Sequence, residues 1–229
     1  MTKDSAYILG ACSLLILQYS WACLEVMDSG PNGRSDLGFS SLLPLYSGMK
    51  QLGLTLWITY EPYDPYLHSI MAYRPIQKIT HYFENTTMPL ELESFFTHCC
   101  NCTKWCNTAD GNFSIRMDAA RSLIPLLSAF KLSHIELESS GFMPDISRCL
   151  FIWPLLTPIG FKQLVGKNDE ASMVIVLYYY AAVLGVASWE FWWMRERSAH
   201  MSRSILIRLG DKCKECIGWA REICDVKYS

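Results

Sequence analysis

Between Ala171 and Trp189 the chain carries no charged residue, and the stretch then breaks into Glu190-Phe191-Trp192-Trp193. From Met173 to Val186 it is apolar or aromatic on every face of a helix, so a helix here has no wet side and must be surrounded. Asn168 is a residue type that caps helices, and Asp169 and Glu170 bring negative charge to the first turn, where the helix dipole favours it. Such an element, spanning about Asp169–Trp193, forces the remaining segments to supply covering faces.

The chain has the material to do so. Its 229 residues are 51% hydrophobic and 18% charged, enough to bury a core as one domain over residues 1–229. Lys and Arg number 20 against 22 Asp and Glu, so no basic footprint for nucleic acid exists and no direct DNA binding is expected. A second uncharged run, Ser5–Leu24, is long enough to span a membrane or to serve as a signal peptide. Gln18, Ser13 and Ser20 interrupt it and Asp4 spoils a basic flank, so a buried core helix is the favoured reading and no membrane span is expected.

The spacing predicts a first helix over Ser5–Met27, stopped by Asp28-Ser29-Gly30-Pro31-Asn32-Gly33. A second carries Leu42, Leu45, Met49, Leu52 and Leu56 on one face. Glu61-Pro62-Tyr63-Asp64-Pro65-Tyr66 breaks the pattern, and a short segment over Leu67–Tyr73 closes at Pro75. From Pro89, Leu92, Phe95, Phe96, Cys99 and Cys100 are helically spaced, and Phe113–Leu137 reads as a long helix bent or split at Pro125. Ile146–Trp153 is a short segment ending at Pro154, and Trp153–Phe161 reads as an irregular apolar connection. Helices over Phe191–Leu209 and Asp211–Asp225 follow the central one, the basic residues Arg195, Arg197, Arg203, Arg208, Lys212 and Lys214 forming a solvated face. Nothing alternates as a strand does, so the class is all-α, a single helical bundle around the central apolar helix.

Ten cysteines invite a search for metal or redox chemistry. Cys12, Cys23 and Cys149 stand alone in apolar runs and behave as small hydrophobes. His98, Cys99, Cys102 and Cys106 offer zinc ligand types, and Cys213 with Cys216 could be the distant pair that completes a four-thiolate site. Packing cysteines or an adventitious disulfide are the simpler reading, and the sequence reading assigns no metal and no cofactor. Asn85-Thr86-Thr87, Asn101-Cys102-Thr103 and Asn112-Phe113-Ser114 match the glycosylation pattern, which matters only for a secreted chain. Asp64 with His68 and His134 with Glu138 have the spacing of surface helical pairs, and no catalytic residue is assigned.

The strongest positive signal is aromatic. Trp153, Phe161, Tyr178, Tyr179, Tyr180, Trp189, Phe191, Trp192 and Trp193 crowd one segment together with Met173 and Met194. They form either an aromatic core or an apolar pocket in which tyrosine hydroxyls orient a flat ligand. In order and approximate spacing, Trp153-Pro154, Phe161, the run Glu170–Ala181, Trp189 and Trp192-Trp193 resemble the C-terminal effector domain of fungal binuclear-zinc-cluster transcription regulators, especially the sterol uptake control group. Leu37–Gly53, with Ser47-Gly48-Met49-Lys50, resembles the earlier part of that domain more loosely.

The resemblance implies an all-α bundle that binds a sterol-like lipophilic small molecule, has the capacity to form a homodimer and works in the nucleus or cytoplasm. On this reading the ligand-binding residues are Trp153, Phe161, Tyr178, Tyr179, Trp189, Trp192 and Trp193. The chain departs from the group in two ways. No cysteine run has the spacing of the DNA-binding cluster, and Met194-Arg195-Glu196-Arg197 stands where the group offers glycine and tryptophan. The alternative is a repurposed enzyme of fungal secondary metabolism, cyclising or isomerising a lipophilic polyketide or terpenoid in the same pocket by orientation alone.

Overall fold

A computed structural model of the chain describes residues 75–103, 105, 111–132, 134–186 and 192–226, with isolated positions at 8, 12, 15, 16, 48 and 51. The expected helices over Ser5–Met27 and Leu42–Leu56, the segment Leu67–Tyr73 and Cys106 lie outside the described residues or touch them only at those isolated positions. Among the described residues the structure is all-α, with α1 (Pro75–Phe83), α2 (Met88–Asn101), α3 (Phe113–Phe130), α4 (His134–Ser140), α5 (Met143–Leu156), α6 (Ile159–Gly166), α7 (Glu170–Val186), α8 (Trp192–Leu209) and α9 (Lys214–Val226). No single helix among them is long and apolar enough to cross a membrane.

The uncharged stretch forms α7, and its residues from Ala171 to Leu184 are all buried. Helices α2, α3, α5, α6, α8 and α9 all pack against it. A second tier of contacts ties the covering helices to one another, α2 to α3, α8 to α9 and α9 back to α2, while α1 packs outside them on α3 and α5. Each contributes a narrow apolar stripe, as Ile79 and Phe83 do from α1 and Leu92, Phe96 and Cys99 from α2. Gly185 marks a close approach, since a Cβ there would stand 3.0 Å from the Phe130 ring.

Prolines misled the reading of boundaries. Pro75, read as a closing residue, instead opens α1, where a missing N–H breaks no helical bond. Pro125 lies inside a continuous α3, and the break falls after Phe130, where the Lys131 N–H bonds the carbonyls of Ser128 and Ala129. Pro154 lies inside α5, which runs to Leu156, and α6 follows at 71° after Thr157-Pro158. The region over Trp153–Phe161 is therefore largely helical. At Pro125 and Pro154 the buried faces around the proline, Ile124 and Leu126 to Ala129 in α3 and Leu150 and Trp153 in α5, outweigh the loss of one backbone hydrogen bond. Arg197, placed by sequence on a solvated face, is 1% exposed and faces inward from α8.

The cap of α7 is Asp169, not Asn168. Asn168 takes a left-handed φ of 62° and ends the preceding turn. The Asp169 carboxylate accepts from the Ser172 backbone N–H at 2.9 Å and from its hydroxyl at 2.6 Å. The same carboxylate receives a two-pronged contact from Arg116 of α3, Nε at 2.9 Å and Nη2 at 2.7 Å. The Arg116 side chain is 1% exposed and that of Asp169 16%, so this fork is a part-buried charge pair whose cationic end is shut from water. Burial pushes the Asp169 carboxyl upward, but the hydrogen bonds from Arg116 and Ser172 outweigh it and hold it below the ordinary carboxylate value.

Because the Asp169 pKa is lowered by folding, the stability it adds is complete above its unfolded value of about pH 4 and is lost as pH falls through the folded value. Asp169→Asn should lower unfolding stability by about 3 kcal/mol at neutral pH, since it leaves Arg116 buried without its counter-charge. Urea unfolding of both proteins from neutral to acid pH checks this, and the gap between them should narrow on the acid side.

Candidate functional site

Consecutive residues on a helix project about 100° apart, and this splits the three tyrosines of α7. Tyr179 stacks on Trp153 of α5 with centroids 4.6 Å apart and planes at 23°, and Phe161 of α6 meets Trp153 edge-on at 6.1 Å. Tyr180 lies beside Tyr179 at 5.1 Å. Trp153, Phe161, Tyr179 and Tyr180 are each 0% exposed, and the Trp153 indole N–H donates to the Ser122 hydroxyl at 2.9 Å. These rings close on one another, with no solvent-accessible surface left for a ligand.

Tyr178 points elsewhere. It stacks on Trp219 of α9 at 5.3 Å and 20°, and it touches Phe95 and Phe96 of α2 at 5.2 and 5.4 Å. Beside it opens a cleft of about 250 Å³ lined by Glu91, Leu92, Phe95, Leu127, Lys131, Tyr178 and Trp219. Its walls are mainly apolar, and at its rim Lys131 Nζ lies 3.4 Å from Glu91 Oε2. A hydrogen bond from Thr87, then Lys131, holds the Glu91 carboxyl below its ordinary value, while burial pushes the Tyr178 phenol up.

Of the seven residues singled out by sequence, Trp153, Phe161 and Tyr179 therefore belong to one closed stack and Tyr178 to the wall of a cleft. Trp192 and Trp193 start α8, and Trp189 lies outside the described residues. Sequence reasoning did not find Phe95, Leu127 or Trp219 as neighbours of Tyr178. The signal available was the apolar spacing of α2 and α9, which says that a face is buried without saying against what.

Below the cleft a second constellation joins α2 to α9. Cys102, at the C-cap of α2, has its sulfur 3.8 Å from that of Cys213, and Cys213 lies 3.0 Å from Cys216. His98 completes a group in which one ligand atom of each residue lies within 4.8 Å of all the others. The three cysteines are buried while His98 is exposed. Cys99, also buried, is hydrogen-bonded to Cys216. That contact, with help from Cys213, Trp105 and Cys102, lowers the pKa of the Cys216 thiol against the effect of burial, whereas burial first of all raises that of Cys213. The two cysteine clusters, more than a hundred residues apart in sequence, are thus one site in space.

No family model, curated protein or solved structure matches this chain. What the geometry defines is an all-α protein with one closed aromatic stack, one apolar cleft and one thiol-rich cluster among its described residues.

Truncating the closed stack should act as a core deletion. Trp153→Ala should cost about 3–5 kcal/mol of unfolding stability, read from the denaturant midpoint at unchanged slope, because the ring is fully buried and stacked.

Proposed function

We propose that this chain is a small-molecule-binding effector domain that takes a flat, lipophilic, sterol-like ligand in the cleft between α2, α3, α7 and α9. The observation that carries this reading is the aromatic wall of Tyr178, Trp219 and Phe95 beside an apolar opening with a Glu91–Lys131 pair at its rim. Apolar walls with a few polar groups at the edge are what ligand sites of this class present. At about 250 Å³ the cleft lies below the usual range for a whole drug-sized ligand, so it would seat part of a ring system and leave the rest along the surface. The resemblance of Trp153–Trp193 to the effector domains of sterol uptake regulators supports the ligand class. Regulation follows from position: a ligand wedged against Tyr178 touches the central helix and the terminal one together.

Titration of the purified protein with a fluorescent sterol should show saturable micromolar binding with a change in Trp219 emission. Trp219→Ala and Phe95→Ala should each weaken it by about tenfold or more, at roughly 1.4 kcal/mol per decade. Unsaturable uptake, or equal affinity in both variants, would sink the assignment to this cleft.

A further inference from the structure

We infer that His98, Cys102, Cys213 and Cys216 form a structural zinc site that fastens the end of α2 to the start of α9. The ligand set is one that zinc prefers, three thiolates and an imidazole. It is drawn as two short pairs, His98-x3-Cys102 from a helix end and Cys213-x2-Cys216 from a helix start, and the fold brings them together from distant parts of the chain.

Distances fit the ion. With zinc–sulfur bonds of about 2.3 Å, tetrahedral thiolates stand about 3.8 Å apart. Cys102 and Cys213 stand 3.8 Å apart, Cys213 and Cys216, at 3.0 Å, need to separate, and the remaining ligand pairs lie within 4.8 Å. A disulfide would instead need one pair at about 2.0 Å and would strand the third thiol and the imidazole.

The surroundings fit as well. Cys213 stands just ahead of the first residue of α9, and the Cys216 backbone N–H of that first turn is hydrogen-bonded to its sulfur, a contact that favours a thiolate there. Trp105 is 6% exposed, and its indole nitrogen is buried with no N or O partner of its own, within reach of Cys216. A donor in that position suits a metal-bound thiolate better than a neutral thiol. Glu215 stands 3.9 Å from His98 Nε2, a solvent-exposed contact longer than a hydrogen bond. Zinc displaces the thiol protons on binding and undergoes no redox change. The consequence reaches the cleft, because α2 and α9 carry Phe95 and Trp219, yet the site stands on its own ligands whether or not the cleft binds anything.

The test is metal analysis of the full chain purified under reducing conditions, followed by exchange with cobalt(II). One equivalent of zinc per chain is expected, and cobalt should give the strong visible bands of a tetrahedral thiolate site. His98→Ala, an exposed position that should not disturb folding, should weaken cobalt binding by more than about tenfold and shift those bands, while Cys99→Ser should leave them in place. Cys213→Ser should abolish them. Metal content near zero with a Cys213–Cys216 disulfide found by mass spectrometry would overturn the site. Loss of the bands in Cys99→Ser with retention in His98→Ala would overturn this ligand set in favour of four thiolates.

Discussion

A helix with no polar face fixes the design of this protein. Water can cover none of α7, so every direction around it must be taken by another element, and six of the other described helices do this. The requirement explains why the covering helices are only partly apolar: each needs one stripe for α7 and keeps the rest for solvent or for a neighbour. It also explains the aromatic content, since large rings fill the wide gaps between helices that converge on one axis at differing angles.

An apolar axis alone would specify neither register nor direction, because any apolar stripe could slide along it. The Arg116–Asp169 fork supplies that specificity, joining α3 to the first turn of α7 while Asp169 also caps the helix. Other charged contacts sit further out and hold α3 to α2, such as Arg121 with Glu93 and Lys131 with Glu91. Screened by solvent, these outer pairs set orientation more than they add stability. At the far end of α2 the thiol-rich cluster plays the corresponding part for α9.

Much of the fold was legible in the residues, for reasons that can be named. The helix over Phe113–Phe130 follows from apolar spacing, and the α2 helix from Leu92, Phe96 and Cys99 recurring at helical intervals. The boundaries failed at Pro125 and Pro154 because local rules weigh one lost hydrogen bond and cannot weigh the buried surface on either side of it, and at Pro75 because a proline that ends one segment equally opens the next. The site was legible only in parts. Tyr178 and Tyr179 look equivalent in the chain, yet one turns to α9 and the other to α5, and only the positions of Trp219 and Trp153 separate a cleft wall from a closed stack.

By itself the sequence determined that the protein is all-α and organised about a helix that had to be buried, since hydrophobic periodicity and the absence of charge are properties of a segment alone. It also determined which residue types could carry chemistry: aromatic rings, two short cysteine clusters and a histidine. The tertiary structure decided which of them meet. His98 and Cys102 come within reach of Cys213 and Cys216 because α9 folds back onto α2, an arrangement set by the packing of both helices against α7 and by no local pattern in either.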